Sequence, residues 1–119
     1  MPFTFFTLPN CKTCQRIDAD LDPAGHGAVV CDIKSEGISP DQLDAMQAHS
    51  GSYEALFSRR AMKFRSMGLA DQNLGEADYR RLILEEYTFL KRPVLLTEEA
   101  VFAGSAKASV EGARKALQS

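Results

Sequence analysis

The chain has 119 residues, 45% hydrophobic, 25% charged and 8% aromatic, which is the length of one domain and the composition of a folded protein, not of a disordered one. Fourteen basic and sixteen acidic side chains give a formal net charge of −2, so nothing drives the whole molecule toward nucleic acid, and no direct nucleic-acid contact is expected. Apolar runs of only a few residues exclude a transmembrane helix, and MPFTFFTLPN lacks the basic and long apolar regions of a secretory signal, so a cytoplasmic protein without a membrane partner is expected.

Phe3 to Leu8 (FTFFTL) is a short apolar run rich in β-favouring residues, ended by Pro9-Asn10, and it predicts a buried strand. Cys14, Ile17 and Leu21 then fall at i, i+3 and i+7, one face of a helix that opens at a cysteine pair and closes at Pro23 and Gly25. Ala28 to Ile33 (AVVCDI) predicts a second strand and completes a β-α-β unit. Ser39-Pro40-Asp41-Gln42 is a capping box with proline at the first helical position; Leu43 and Met46 mark that helix's apolar face and Gly51 its end. Tyr53 to Leu69 has a mixed pattern read as helical. A further helix is expected from about Glu76 to Tyr87, with Tyr79, Leu82, Ile83 and Tyr87 inward. Pro93–Thr97 and Val101–Ala103 predict a hairpin, and a final helix carries Val110, Ala113 and Leu117 on one face. No repeat or linker interrupts the chain. The expectation is a single α/β domain over 1–119, with halves at about 1–35 and 88–119 around a helical insert at about 36–87. The order β-α-β, insert, β-β-α is the thioredoxin-like layout.

Three cysteines are present: Cys11 and Cys14 as C-x-x-C, and Cys31 alone. An odd number argues against a disulfide framework. With no second C-x-x-C and only two distant histidines, His26 and His49, the chain lacks the ligands of a structural zinc site, and no metal is expected. A cysteine at a helix N-terminus faces unpaired N–H groups and the positive end of the macrodipole, which favour the nucleophilic thiolate. Cys11 takes that position, next to Lys12, and Cys14 lies one turn further on the same side, where it can resolve a mixed disulfide. Cys31 reads as a small buried hydrophobe, and both histidines as surface residues. Arg59, Arg60, Lys63 and Arg65 place four cations within seven residues. They form either a solvated helix face or a site for an oxyanion, a glutathione carboxylate or an acidic partner. Pro93 opens a strand, a position compatible with a cis bond that would set Arg92 beside whatever Pro93 faces.

Three segments, FTLPNCKTCQR (6–16), YEALFSRRAMKFRSMGL (53–69) and LKRPVLL (90–96), together resemble the ArsC/Spx family over essentially the whole chain. The resemblance implies a four-stranded mixed sheet flanked by helices, a nucleophilic Cys11, an anion-holding Arg92 and a cis Pro93 beside the cysteine loop. In the family's reductases a thiolate attacks arsenate, glutathione forms a mixed disulfide, and glutaredoxin restores the enzyme. No bound cofactor is implied, and glutathione is the expected co-substrate. The family's first arginine-or-asparagine position falls on Ser58 here, so Arg59 and Arg60 substitute in the anion site or serve another role. Gln15, with Arg16 after it, stands where the family often has arginine four positions after the cysteine. The segment Val101–Ala106 has no counterpart to the arginine that follows the reductases' hairpin.

Two classes of function follow. One is a thiol-dependent oxidoreductase of the arsenate reductase type, with Cys11 as nucleophile, Cys14 or glutathione and glutaredoxin resolving, Arg92 and Arg60 as the anion clamp, and an oxyanion or disulfide as substrate. The other is an Spx-like regulator whose Cys11–Cys14 disulfide switches binding to RNA polymerase.

Overall fold

A computed structural model of the chain describes residues 3–118. Two units make it up, Met1–Gly37 with Arg92–Ser119, and Ile38–Lys91. In the first, β1 (Thr4–Thr7), β2 (Val29–Asp32), β3 (Val94–Leu96) and β4 (Val101–Ala103) form one sheet in the order β2-β1-β3-β4. β1 runs parallel to β2 and antiparallel to β3, and β3 is antiparallel to β4. Having a neighbour on each side, β1 carries the apolar run Phe5-Phe6 that the sequence predicts, and both rings are buried. The register sets Phe5 opposite Leu95, and Leu95 opposite Phe102. On that face α1 (Lys12–Leu21) contributes Ile17 and Leu21, and α5 (Lys107–Gln118) contributes Ala113 and Leu117, which join Phe5 and Leu95 in one core cluster. The four-stranded mixed sheet with flanking helices is therefore the fold. Helix α1 ends at Leu21, two residues before Pro23. Asp22 takes the left-handed conformation (φ 48°) and donates its N–H to Asp18 O; Pro23 only begins the short turn that follows.

Helix α5 needs its one glycine. A Cβ at Gly112 would lie 2.6 Å from two carbons of the Phe102 ring. Alanine improves helix propensity by about 1 kcal/mol, whereas overpacking costs about 1–3 kcal/mol. Phe102 packs against the core cluster of Phe5, Ile17 and Leu95, so its ring must shift to admit the methyl group. Gly112→Ala is expected to lower the thermal unfolding midpoint; a raised midpoint would show that the ring yields freely.

The second unit holds α2 (Pro40–Ser50), α3 (Met62–Ser66) and α4 (Glu76–Glu85). Helix α2 begins as expected: Ser39 Oγ accepts the Gln42 N–H, and the Gln42 side chain accepts the Ser39 N–H. Gly51 ends it at φ 89°. Asp44 on this helix accepts from Arg80 Nε at 2.8 Å and from the Tyr53 hydroxyl, which holds its carboxyl down at about 2.

Two sequence expectations are corrected here. Tyr53–Leu69 is not a continuous helix: only Met62–Ser66 is α-helical, flanked by single 3₁₀ turns at Glu54–Leu56 and Leu69–Asp71. Its backbone bonds lie elsewhere. Ser58 N–H donates to Phe89 O, Lys91 N–H to Leu56 O, and Phe57 bridges Leu90. The Glu76 carboxylate takes the N–H groups of Tyr53 and Glu54. Likewise α4 ends at Glu85, and Tyr87 opens a separate 3₁₀ turn as a half-buried side chain, while Tyr79, Leu82 and Ile83 are buried. Among the described residues no helix is long and apolar enough to cross a membrane.

Candidate active site

The site begins where β1 ends. Leu8, Pro9, Asn10 and Cys11 make a turn closed by the Cys11 N–H on Leu8 O at 3.0 Å, with proline and asparagine at its two central positions. Cys11 is the N-cap of α1, its backbone extended (φ −96°, ψ 118°). Its side chain makes no conventional cap hydrogen bond, yet it lies among groups that favour a negative sulfur. Burial acts to raise the Cys11 pKa. Hydrogen bonding from the Cys14 N–H, the Cys14 thiol, the Arg92 side chain and the Thr13 N–H outweighs it, and the net result is a lowered value.

Cys14 differs from Cys11 mainly in depth. Its side chain is fully buried whereas Cys11 is partly exposed. Burial dominates and pushes its thiol up, and the hydrogen bond and like charge of the Cys11 sulfur act in the same direction; the Leu8 backbone and the Thr7 side chain oppose this. One thiol is thus poised as thiolate and its neighbour as the proton-bearing thiol. Thr7, a buried polar residue at the end of β1, was missed from sequence. The available signal was a threonine closing an apolar strand one loop before the cysteines.

Arg92 and Pro93 lead into β3, joined by a cis peptide bond. The structure thus brings Cys11, Cys14 and Arg92 together within the first unit. Arg59 and Arg60 belong to the second. There Arg59 donates to Glu54 at 2.8 Å and to the Tyr79 hydroxyl at 2.9 Å, with its guanidinium over the Tyr79 ring, and Lys63 pairs with Glu86. Arg60 and Arg65 are exposed.

Cys31 lies buried in β2, its sulfur 3.9 Å from Gly37 O, and burial followed by the Glu36 charge pushes its thiol up. His26 and His49 are exposed; a His26 ring nitrogen lies 2.9 Å from Asp22 O. All three cysteines are free thiols. Among the described residues no group of three or more His, Cys, Asp or Glu is placed to hold a metal ion.

A β-α-β half and a β-β-α half sharing one sheet, with a cysteine pair at the first strand–helix junction, define a protein of thioredoxin-like fold. More narrowly, the chain belongs to the ArsC family, whose sequence model matches residues 6–113. It is similar to the global transcriptional regulator Spx of Bacillus subtilis, at 26% identity over 102 residues, which is 85% of this chain and 78% of that protein. Among solved structures it is similar to an arsenate reductase (ArsC) related protein from Brucella melitensis, 27% identical with a TM-score of 0.70, covering 94% of this chain and 93% of that one. The arsenate reductase from Vibrio cholerae shares the fold, with a TM-score of 0.78 at 17% identity, covering 94% and 97% of the two chains.

Proposed function

We propose that the protein is a thiol-dependent reductase in which Cys11 is the nucleophile and Cys14 the resolving thiol. The observation that carries this reading is the unequal pair: a lowered, partly exposed Cys11 in contact with a raised, buried Cys14. With a disulfide substrate, the Cys11 thiolate attacks one sulfur, the substrate S–S bond breaks, and the first thiolate leaves. Cys14 then loses its proton and attacks the Cys11 sulfur. The second thiolate leaves, and a Cys11–Cys14 disulfide remains that has given two electrons to the substrate. Glutathione, alone or through glutaredoxin, returns those electrons. With arsenate, the Cys11 thiolate forms a sulfur–arsenic bond as one arsenate oxygen leaves as water; Cys14 then attacks the Cys11 sulfur, the sulfur–arsenic bond breaks, and its electron pair leaves with arsenic as arsenite. Here the side chain of Arg92 offsets the repulsion between thiolate and oxyanion. Arg59 and Arg60 are not needed for this core of the proposal.

A second reading has support in the Spx similarity together with the C-x-x-C: a regulator whose Cys11–Cys14 disulfide controls binding to RNA polymerase. One assay separates the two. Arsenate-dependent NADPH oxidation, with glutathione, glutaredoxin and glutathione reductase supplied, is expected to proceed with the unmodified protein and to stop in Cys11→Ser. Arg92→Ala should weaken anion binding by about 1.5–3 kcal/mol, the contribution of a charged hydrogen bond. Absence of Cys11-dependent turnover with arsenate and with glutathione mixed disulfides alike would overturn the reductase reading in favour of the regulator.

A further inference from the structure

The turn that carries Cys11 is held from both sides by one residue. Gln15 donates its backbone N–H to Cys11 O at 2.9 Å and its side-chain amide, Nε2, to Pro9 O at 2.5 Å. The first bond is an ordinary helical bond of α1. The second is a tertiary tether between the helix and the loop before it, and it leaves the helix's own bonding untouched. Together with the Cys11 N–H on Leu8 O, these bonds enclose Cys11 in a small ring of fixed backbone groups. We infer that Gln15 is a positioning residue for Cys11: its side-chain amide locks the Leu8–Cys11 turn onto the first turn of α1 and so keeps the Cys11 sulfur at the helix N-terminus. This deepens the proposed function and rests on Cys11 being its reactive thiol.

The physical reason is the steep distance dependence of what favours the thiolate. Unpaired N–H groups and the helix dipole act only within the first turn. A loop free to swing would carry the sulfur out of their reach for part of the time, and the average thiolate fraction would fall. Gln15 itself is exposed, and a single exposed hydrogen bond adds little to global stability. Its removal should therefore show in the chemistry of Cys11 before it shows in unfolding.

Methionine keeps the length and helix propensity of glutamine without the donor, and alanine removes the side chain altogether. Iodoacetamide alkylation of Cys11 is followed against pH in the full chain and in Gln15→Met and Gln15→Ala, with Cys11→Ser as the blank and a thermal melt of each. Both variants are expected to move the alkylation midpoint upward by roughly half a pH unit. Labelling below the midpoint then slows about threefold, with thermal midpoints close to that of the unmodified protein. Profiles that overlay the unmodified protein would overturn the inference. So would a shift seen only alongside a large fall in thermal midpoint, which would make Gln15 a structural tether alone. An unmodified protein lacking a low, Cys11-dependent midpoint would overturn the role given to Cys11 itself.

Discussion

At neutral pH, iodoacetamide is expected to modify Cys11 in the native protein and to leave Cys14 and Cys31 unmodified, so that Cys11→Ser loses essentially all native-state labelling. The selectivity has two causes. Only the thiolate reacts, and Cys11 alone of the three has a lowered pKa, because the hydrogen bonds at the start of α1 and from Arg92 outweigh its burial. Cys11 is also the only one of the three that is not buried. The pH dependence has a definite sign. Labelling of Cys11 rises through a midpoint below the ordinary thiol value of about 8.5. Because its pKa is lowered on folding, Cys11 contributes stability that is present above its unfolded value and lost as pH falls through its folded value. Cys14 runs the other way, since its raised pKa contributes stability below the ordinary thiol value that is lost as pH rises through its folded value. Native labelling centred on Cys14, or a Cys11 midpoint at or above the ordinary value, would remove the basis for assigning Cys11 as nucleophile. Cys14→Ala extends the same logic: it removes the side-chain donor that favours the Cys11 thiolate, and the Cys11 midpoint should move upward.

The largest loss of stability in the second unit is expected from Phe57→Ala, at about 3–5 kcal/mol. Phe57 is 1% exposed. Its ring stacks on Phe89 at 5.0 Å, tilts against Tyr79 at 4.9 Å and meets Phe64 edge-on at 5.9 Å, so truncation removes three aromatic contacts at once and leaves a cavity that few side chains can fill. Chemical denaturation followed by circular dichroism measures the effect. Natural domains have only about 5–15 kcal/mol of stability, so a substantial fraction should be lost and the denaturant midpoint should fall markedly. A loss below about 1 kcal/mol would show that the ring cluster relaxes around the gap. Phe57→Leu keeps much of the volume and should recover part of the loss.

Where an element's determinants were local, the sequence reading matched it closely. Helix α2 is bounded by a serine cap, a proline at its first position and a left-handed glycine, all within the segment itself. Helix α1 needed only the spacing of Cys14, Ile17 and Leu21, and the hairpin only two short apolar runs around a turn. Tyr53–Leu69 failed for the opposite reason: Leu56 and Ser58 exchange backbone hydrogen bonds with Lys91 and Phe89, far along the chain, and no window of local pattern contains that partner. The helical spacing of Tyr79 and Ile83 extends to Tyr87, but the chain leaves the helix at Glu86, which takes an extended conformation (φ −142°, ψ 108°). Arg59 illustrates the limit for charge: its place in a four-cation run shows a cation, and only the fold shows that its exposed guanidinium meets the Glu54 carboxylate and the Tyr79 hydroxyl and ring.

What the sequence determined by itself was the cysteine pair at a strand–helix junction, the order of most elements, and through its three segments the membership of the ArsC family. These are encoded in short stretches whose geometry depends on near neighbours. The tertiary structure alone decided that the Arg92 side chain favours the Cys11 thiolate, that Cys14 lies wholly beneath the surface while Cys11 stays partly open, and that Gln15 reaches back to Pro9. Each is a matter of depth or of contact across the fold. Desolvation and charge act through the distances that folding creates, so the inequality between two cysteines three residues apart arises only once the sheet and its helices are assembled.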